Sequence, residues 1–91
     1  MRTVRLRIEG RVQGVGFRAF VEREAGARSI VGFVRNRRDG GVEVVAHGAD
    51  DAIDAFISVC QKGPYGARPD FIKILDEPAS VAVGFTIAPT V

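Results

Sequence analysis

Over residues 3–27 the apolar pattern changes period once, and that change leaves few folds open. Val4, Leu6 and Ile8 alternate with Arg5, Arg7 and Glu9, so Thr3–Gly10 reads as a half-buried strand. Phe17, Phe20, Val21 and Ala25 then follow helical spacing, and Phe17–Ala27 reads as a helix that lays one stripe on a core. Between them lies Val12-Gln13-Gly14-Val15-Gly16-Phe17-Arg18. Its two glycines relax the limits on φ, so backbone N–H groups can turn inward around one point. The start of a helix adds unpaired N–H groups and the positive end of a dipole. Arg18 adds a bidentate fork for phosphate oxygens. Together these make a phosphate cradle. The same residues also suit a plain tight turn followed by a surface arginine. That reading sets a cation against the positive end of the dipole, a cost that a bound anion would offset.

Ile30–Asn36 and Val42–His47 read as two strands joined by Arg37-Arg38-Asp39-Gly40-Gly41, a strong hairpin signal. Asp50 or Asp51 can cap a second helix whose stripe is Ile53, Phe56, Ile57 and Cys60 and which Gly63-Pro64 stops. Phe71–Leu75 and Val81–Ile87 complete the pattern as strands. The order βαββαβ with an extra C-terminal strand predicts an α+β chain, a ferredoxin-like α/β sandwich. Its sheet is mainly antiparallel, with both helices on one face. Alternation along the second strand puts Ile30, Gly32, Val34 and Asn36 on one face, with Asn36 at the end where turn residues begin.

The first block and Gly32-Phe33-Val34-Arg35-Asn36-Arg37-Arg38-Asp39-Gly40-Gly41-Val42-Glu43-Val44, in this order and spacing, resemble the acylphosphatase family. The resemblance continues through Gly48, Cys60, Gly63-Pro64, Ala67 and Gly84-Phe85, so it spans nearly the whole chain. It implies the same ferredoxin-like fold and hydrolysis of a carboxyl–phosphate anhydride without cofactor, metal or covalent intermediate. It also implies that Arg18 and the backbone of Gln13, Gly14, Val15, Gly16 and Phe17 hold the phosphoryl group, that Asn36 orients the attacking water, and that Asn36 lies near the Gly14–Arg18 loop. The residue inventory suits that chemistry. An acyl phosphate expels a carboxylate whose conjugate acid has a pKa of about 4, so the leaving group departs unprotonated. Positioning and charge stabilisation then suffice.

Ninety-one residues are expected to form one domain, residues 1–91. With a single histidine, a single cysteine and no dense carboxylate cluster, a disulfide, a four-cysteine zinc site and a metal-dependent phosphatase are all poorly supported. No apolar run approaches the roughly twenty residues of a membrane span, and no secretory segment precedes the first strand, so a cytoplasmic monomer is expected. The formal charge of +2 is too small to demand a nucleic-acid partner, although most arginines fall in the first half, which suits an anionic ligand. The alternative is a non-catalytic ferredoxin-like module that binds an anion or a nucleic acid. One such relative opens carbamoyl-transferring maturation proteins, but those continue into zinc-finger segments, and no such cysteine motif occurs here. An RNA platform would carry aromatics on Val4–Glu9 and Val42–His47, and these have none.

Other residues have plainer readings. His47 is expected to be structural or exposed, Cys60 to be a packed core thiol, and the Arg5/Arg7 face to be solvated. Ser29 stands where the family usually has a glycine ending the first helix. Pro69 stands where an apolar residue usually begins the fourth strand, and it would remove a ladder donor there.

Overall fold

The strand that the alternation marks out, β1 (Arg2–Arg11), pairs on both sides. The computed structural model describes residues 1–77 and 83–91. After β1 come α1 (Phe17–Ala27), β2 (Val31–Asn36), β3 (Val42–Gly48), α2 (Asp50–Lys62), β4 (Arg68–Asp76) and β5 (Phe85–Ile87). Among the described residues the strands form one sheet in the order β4-β1-β3-β2-β5. Every neighbouring pair is antiparallel except β2 with β5, which is parallel. This is the ferredoxin-like arrangement, with both helices on one face.

The β1–β3 register sets Val4 opposite Ala46, Leu6 opposite Val44 and Ile8 opposite Val42. These residues form the floor of a single buried cluster. Phe17, Val21 and Ala25 of α1, with Ile53, Phe56 and Cys60 of α2, cover it. β3 can approach β2 closely at Gly32, where φ is +140° and a Cβ would lie 1.9 Å from the Val45 carbonyl oxygen. Among the described residues no helix is long and apolar enough to cross a membrane.

Some local readings change. α2 begins after Ala49, whose side chain makes no capping bond, rather than being capped by Asp50 or Asp51. Those two aspartates occupy the first turn instead, where their charges complement the helix dipole. Gly63 closes the helix, its N–H donating to the Val59 carbonyl at 3.0 Å. β4 is longer than Phe71–Leu75 and forms an outer strand. Its Pro69 faces Gly10 beside a break in register between Glu9 and Gly10, so the missing donor falls where the ladder is already irregular. The last strand begins at Phe85, after a bend at Val83-Gly84; Val81 and Ala82 lie outside the described residues.

α1 ends in a Schellman motif. The Ile30 N–H donates to the Ala25 carbonyl at 3.0 Å, and the Ser29 N–H donates to the Gly26 carbonyl at 3.2 Å. The motif needs a left-handed residue at Ser29, whose φ is +55°. A side chain there costs about 1 kcal/mol relative to glycine. Ser29→Gly should therefore raise the thermal unfolding midpoint by about 4–8 °C in a chain of this size. Differential scanning calorimetry checks this, and an unchanged midpoint would show that serine pays no such penalty here.

Candidate active site

β1 ends in a loop that the core and the neighbouring hairpin hold from two sides. The Gln13 side-chain amide donates to the Arg37 carbonyl at 2.7 Å and to the Gly41 carbonyl at 2.9 Å, tying the loop to the β2–β3 turn. Val15 packs against the core cluster. Gly14 and Gly16 take φ of +74° and +76°, and Gly16 is the N-cap residue of α1 in a left-handed conformation. Nothing lies within 4 Å of a Cβ placed on either, so the dihedral and not crowding calls for glycine.

The consequence is a set of unused donors. Among the described residues no hydrogen-bond partner engages the backbone N–H groups from Gly14 to Ala19. α1 has no acidic residue in its first turn and no side-chain cap, in contrast to α2 with Asp50 and Asp51. The positive end of the α1 dipole is thus left uncompensated.

A cavity of about 250 Å³ opens at this point. Gly14, Gly16, Phe17 and Arg18 line it together with Asn36 of β2. Given about 30 Å³ per water, it has room for a phosphate and a few waters. Val12, Ala19 and Ile87 complete the lining. Of the residues expected at the site, Gln13 and Val15 do not line the cavity; their side chains hold the loop in place instead. Ala19 follows from the helical turn that carries Arg18, but Ile87 carries no local signal of this position.

Among the described residues Arg18 forms no ion pair, as is true of Arg11, Arg23, Arg38 and Arg68, but of these it alone is among the residues lining the cavity, whereas Arg2, Arg5, Arg7, Arg28, Arg35 and Arg37 meet carboxylates. Its fork is available to an anion. The Asn36 Oδ1 is buried and has no hydrogen-bond partner among the described residues, an unsatisfied acceptor on a residue that lines the cavity. The Asn36 backbone is held, since its carbonyl accepts from the Val91 N–H at 3.2 Å.

The face bearing Arg5 and Arg7 is not the solvated face expected. It buries Glu43, which is only 3% exposed. Arg5 hydrogen-bonds its carboxylate, Arg35 donates at 2.6 Å and Arg37 lies at 3.5 Å. Burial by itself would raise the Glu43 carboxyl, but the hydrogen bonds and charges of Arg35 and Arg5 outweigh it and hold the group below its usual range. The adjoining turn is fastened at Asp39, whose carboxylate accepts the Gly41 N–H at 2.9 Å and is held low chiefly by that bond. His47 is structural, its Nδ1 lying 2.6 Å from the Thr3 hydroxyl. Cys60 is a core thiol that burial pushes up to about 12, so it stays protonated and unreactive near neutral pH. Among the described residues no group of three or more His, Cys, Asp or Glu side chains could hold a metal ion.

Fold and cavity together define a small ferredoxin-like protein with a cavity at a strand-to-helix turn. The family model for acylphosphatase matches residues 4–87, and the chain belongs to that family. It is 45% identical over 87 residues to the acylphosphatase of Rhizorhabdus wittichii, covering 96% of this chain and 88% of that one. The crystal structure of the acylphosphatase from Bacillus subtilis superposes with a TM-score of 0.94 at 36% identity, covering 97% of this chain and 99% of that one. The much longer HypF of T. kodakarensis also matches, with a TM-score of 0.88 at 34% identity over 100% of this chain but 12% of its own.

Because Glu43 is held below its ordinary value, its stabilising contribution is complete above the unfolded-state value of about 4.5 and is lost as pH falls through the lower folded value. Glu43→Gln should cost about 2 kcal/mol at pH 7, toward the low end for a buried pair because its arginines reach solvent. It should also flatten the loss of stability below about pH 4.5. Urea unfolding from pH 7 to pH 3 measures both effects.

Proposed function

We propose that this chain hydrolyses acyl phosphates by direct attack of water, with the phosphoryl group held by Arg18 and the loop N–H groups and the water oriented by Asn36. The supporting observation is that one cavity is lined by Gly14, Gly16, Phe17 and Arg18 together with Asn36. The glycines leave donors unpaired, and the arginine is free of carboxylates, so the wall suits a group with several anionic oxygens.

In the reaction, a water oxygen forms a bond to phosphorus while the bond from phosphorus to the acyl oxygen breaks. The electron pair leaves with the carboxylate, and the water's protons pass to phosphate oxygens and solvent. A loose transition state asks for little deprotonation of the water beforehand, so no strong base is required. The N–H groups and Arg18 gain as charge spreads over the equatorial oxygens. Asn36 Oδ1, unsatisfied among the described residues, accepts a hydrogen bond from the water and aims its lone pair.

The test is steady-state hydrolysis of benzoyl phosphate in the presence of EDTA. Wild-type turnover should survive chelation and fall at least about a hundredfold in both Arg18→Ala and Asn36→Ala. The two losses should differ in kind. Arg18→Ala should weaken inhibition by inorganic phosphate, whereas Asn36→Ala should lower kcat and leave phosphate binding nearly intact. Phosphate binding without wild-type turnover would instead mark a non-catalytic anion module.

A further inference from the structure

We propose that Ile87 meets the acyl half of the substrate and gives the site a preference for uncharged, apolar acyl groups. This assignment rests on the acyl phosphate reading above. The cavity lining divides by depth. Val12 and Phe17 are buried, Arg18 and Asn36 are half-buried, and Gly14, Gly16, Ala19 and Ile87 are exposed and so form the mouth. The Asn36 Oδ1 is buried, deeper than these exposed residues, which sets the water-positioning group toward the floor. In-line displacement puts the attacking and leaving oxygens on opposite sides of phosphorus. Water oriented from the floor therefore expels the carboxylate toward the mouth, and the acyl group projects between the mouth residues.

Two of those residues are glycines and one is alanine, so Ile87 offers the one large side chain at the mouth. It is 41% exposed, leaving apolar surface that a bound acyl group would remove from water. Its position is held. Ile87 pairs with Val34 and shares the face that carries Asn36, and the Ala88 N–H that follows donates to the Val34 carbonyl at 2.9 Å. Two residues earlier, Phe85 packs edge-on against Phe56 of the core, with ring centroids 6.2 Å apart. Among the described residues no titratable side chain except Arg18 lines the cavity, so a second negative charge on the acyl group would find no further partner among them.

Ile87→Ala and Ile87→Val are compared with wild type for kcat/KM on benzoyl phosphate and acetyl phosphate, for inhibition by inorganic phosphate, and for the thermal midpoint. Ile87→Ala should lower the benzoyl-to-acetyl ratio of kcat/KM about fivefold, less than for an enclosed pocket because the contact is at the mouth. Ile87→Val should keep most of the ratio, and phosphate inhibition should stay within about twofold of wild type in both variants. An unchanged ratio in Ile87→Ala, with wild type active on both substrates, overturns the assignment and leaves the proposed activity standing. Equal losses on both substrates with weakened phosphate inhibition also overturn it, because Ile87 would then support the cradle. A wild type inactive on both substrates removes the activity and this inference together.

Discussion

The antiparallel pairing of β1 with β3 has Ile8 opposite Val42 at one end of the sheet, and most of the molecule depends on that register. It aligns the apolar faces of both strands, so a shift of one residue would turn Val4, Leu6 and Ile8 away from the helices. It also brings the loop that leaves β1 to the turn that enters β3. Gln13 then has two carbonyls within reach, at Arg37 and Gly41, and its amide fastens loop to turn. Asn36 directly precedes that turn, so the bond that steadies the loop also sets its distance from Asn36.

Charge in this small protein is sorted by position. On the outer face of the sheet, arginines are spent on Glu43, Glu77 and Asp39, and a buried carboxylate survives because more than one guanidinium serves it. At the start of α2, Asp50 and Asp51 answer the helix dipole. At the start of α1 neither device is present, and Arg18 is left without a carboxylate among the described residues. Other cations also lack a carboxylate, but at this cavity an unpaired arginine coincides with an uncapped helix start, and a ligand's negative charge would answer both.

The same fold matches stand-alone acylphosphatases along nearly their whole length and a much longer HypF along a small part of its own. A ferredoxin-like sandwich therefore does not by itself state an activity. What distinguishes an enzyme from an anion-binding module is whether a water can be aimed at the bound phosphorus. That question falls on Asn36, and on the outward path by which the acyl group leaves.

Much of this was legible in the chain itself. The change of period at Gly14–Gly16, the Asp39-Gly40-Gly41 turn and the stripe Ile53, Phe56, Ile57 and Cys60 are local signals, so element type and order followed from them. Ser29, standing where the resemblance expects a glycine, takes the left-handed conformation that a glycine would favour. Other features had no local signal. Glu43 alternates in the strand like any surface residue, and only the neighbouring strands bury it under Arg5 and Arg35. The helix start at Ala49 reflects how the chain turns out of β3, while Asp50 looked an equally good cap. Sequence alone thus determined the elements and the glycine-rich turn with the arginine beside it, since periodicity, φ and dipoles act within a few residues. Tertiary structure decided that Gln13 is a brace and that Asn36 and Ile87 line the same cavity as Gly14, Gly16 and Arg18. Those placements depend on pairing between segments far apart in the chain, and no short-range pattern encodes it.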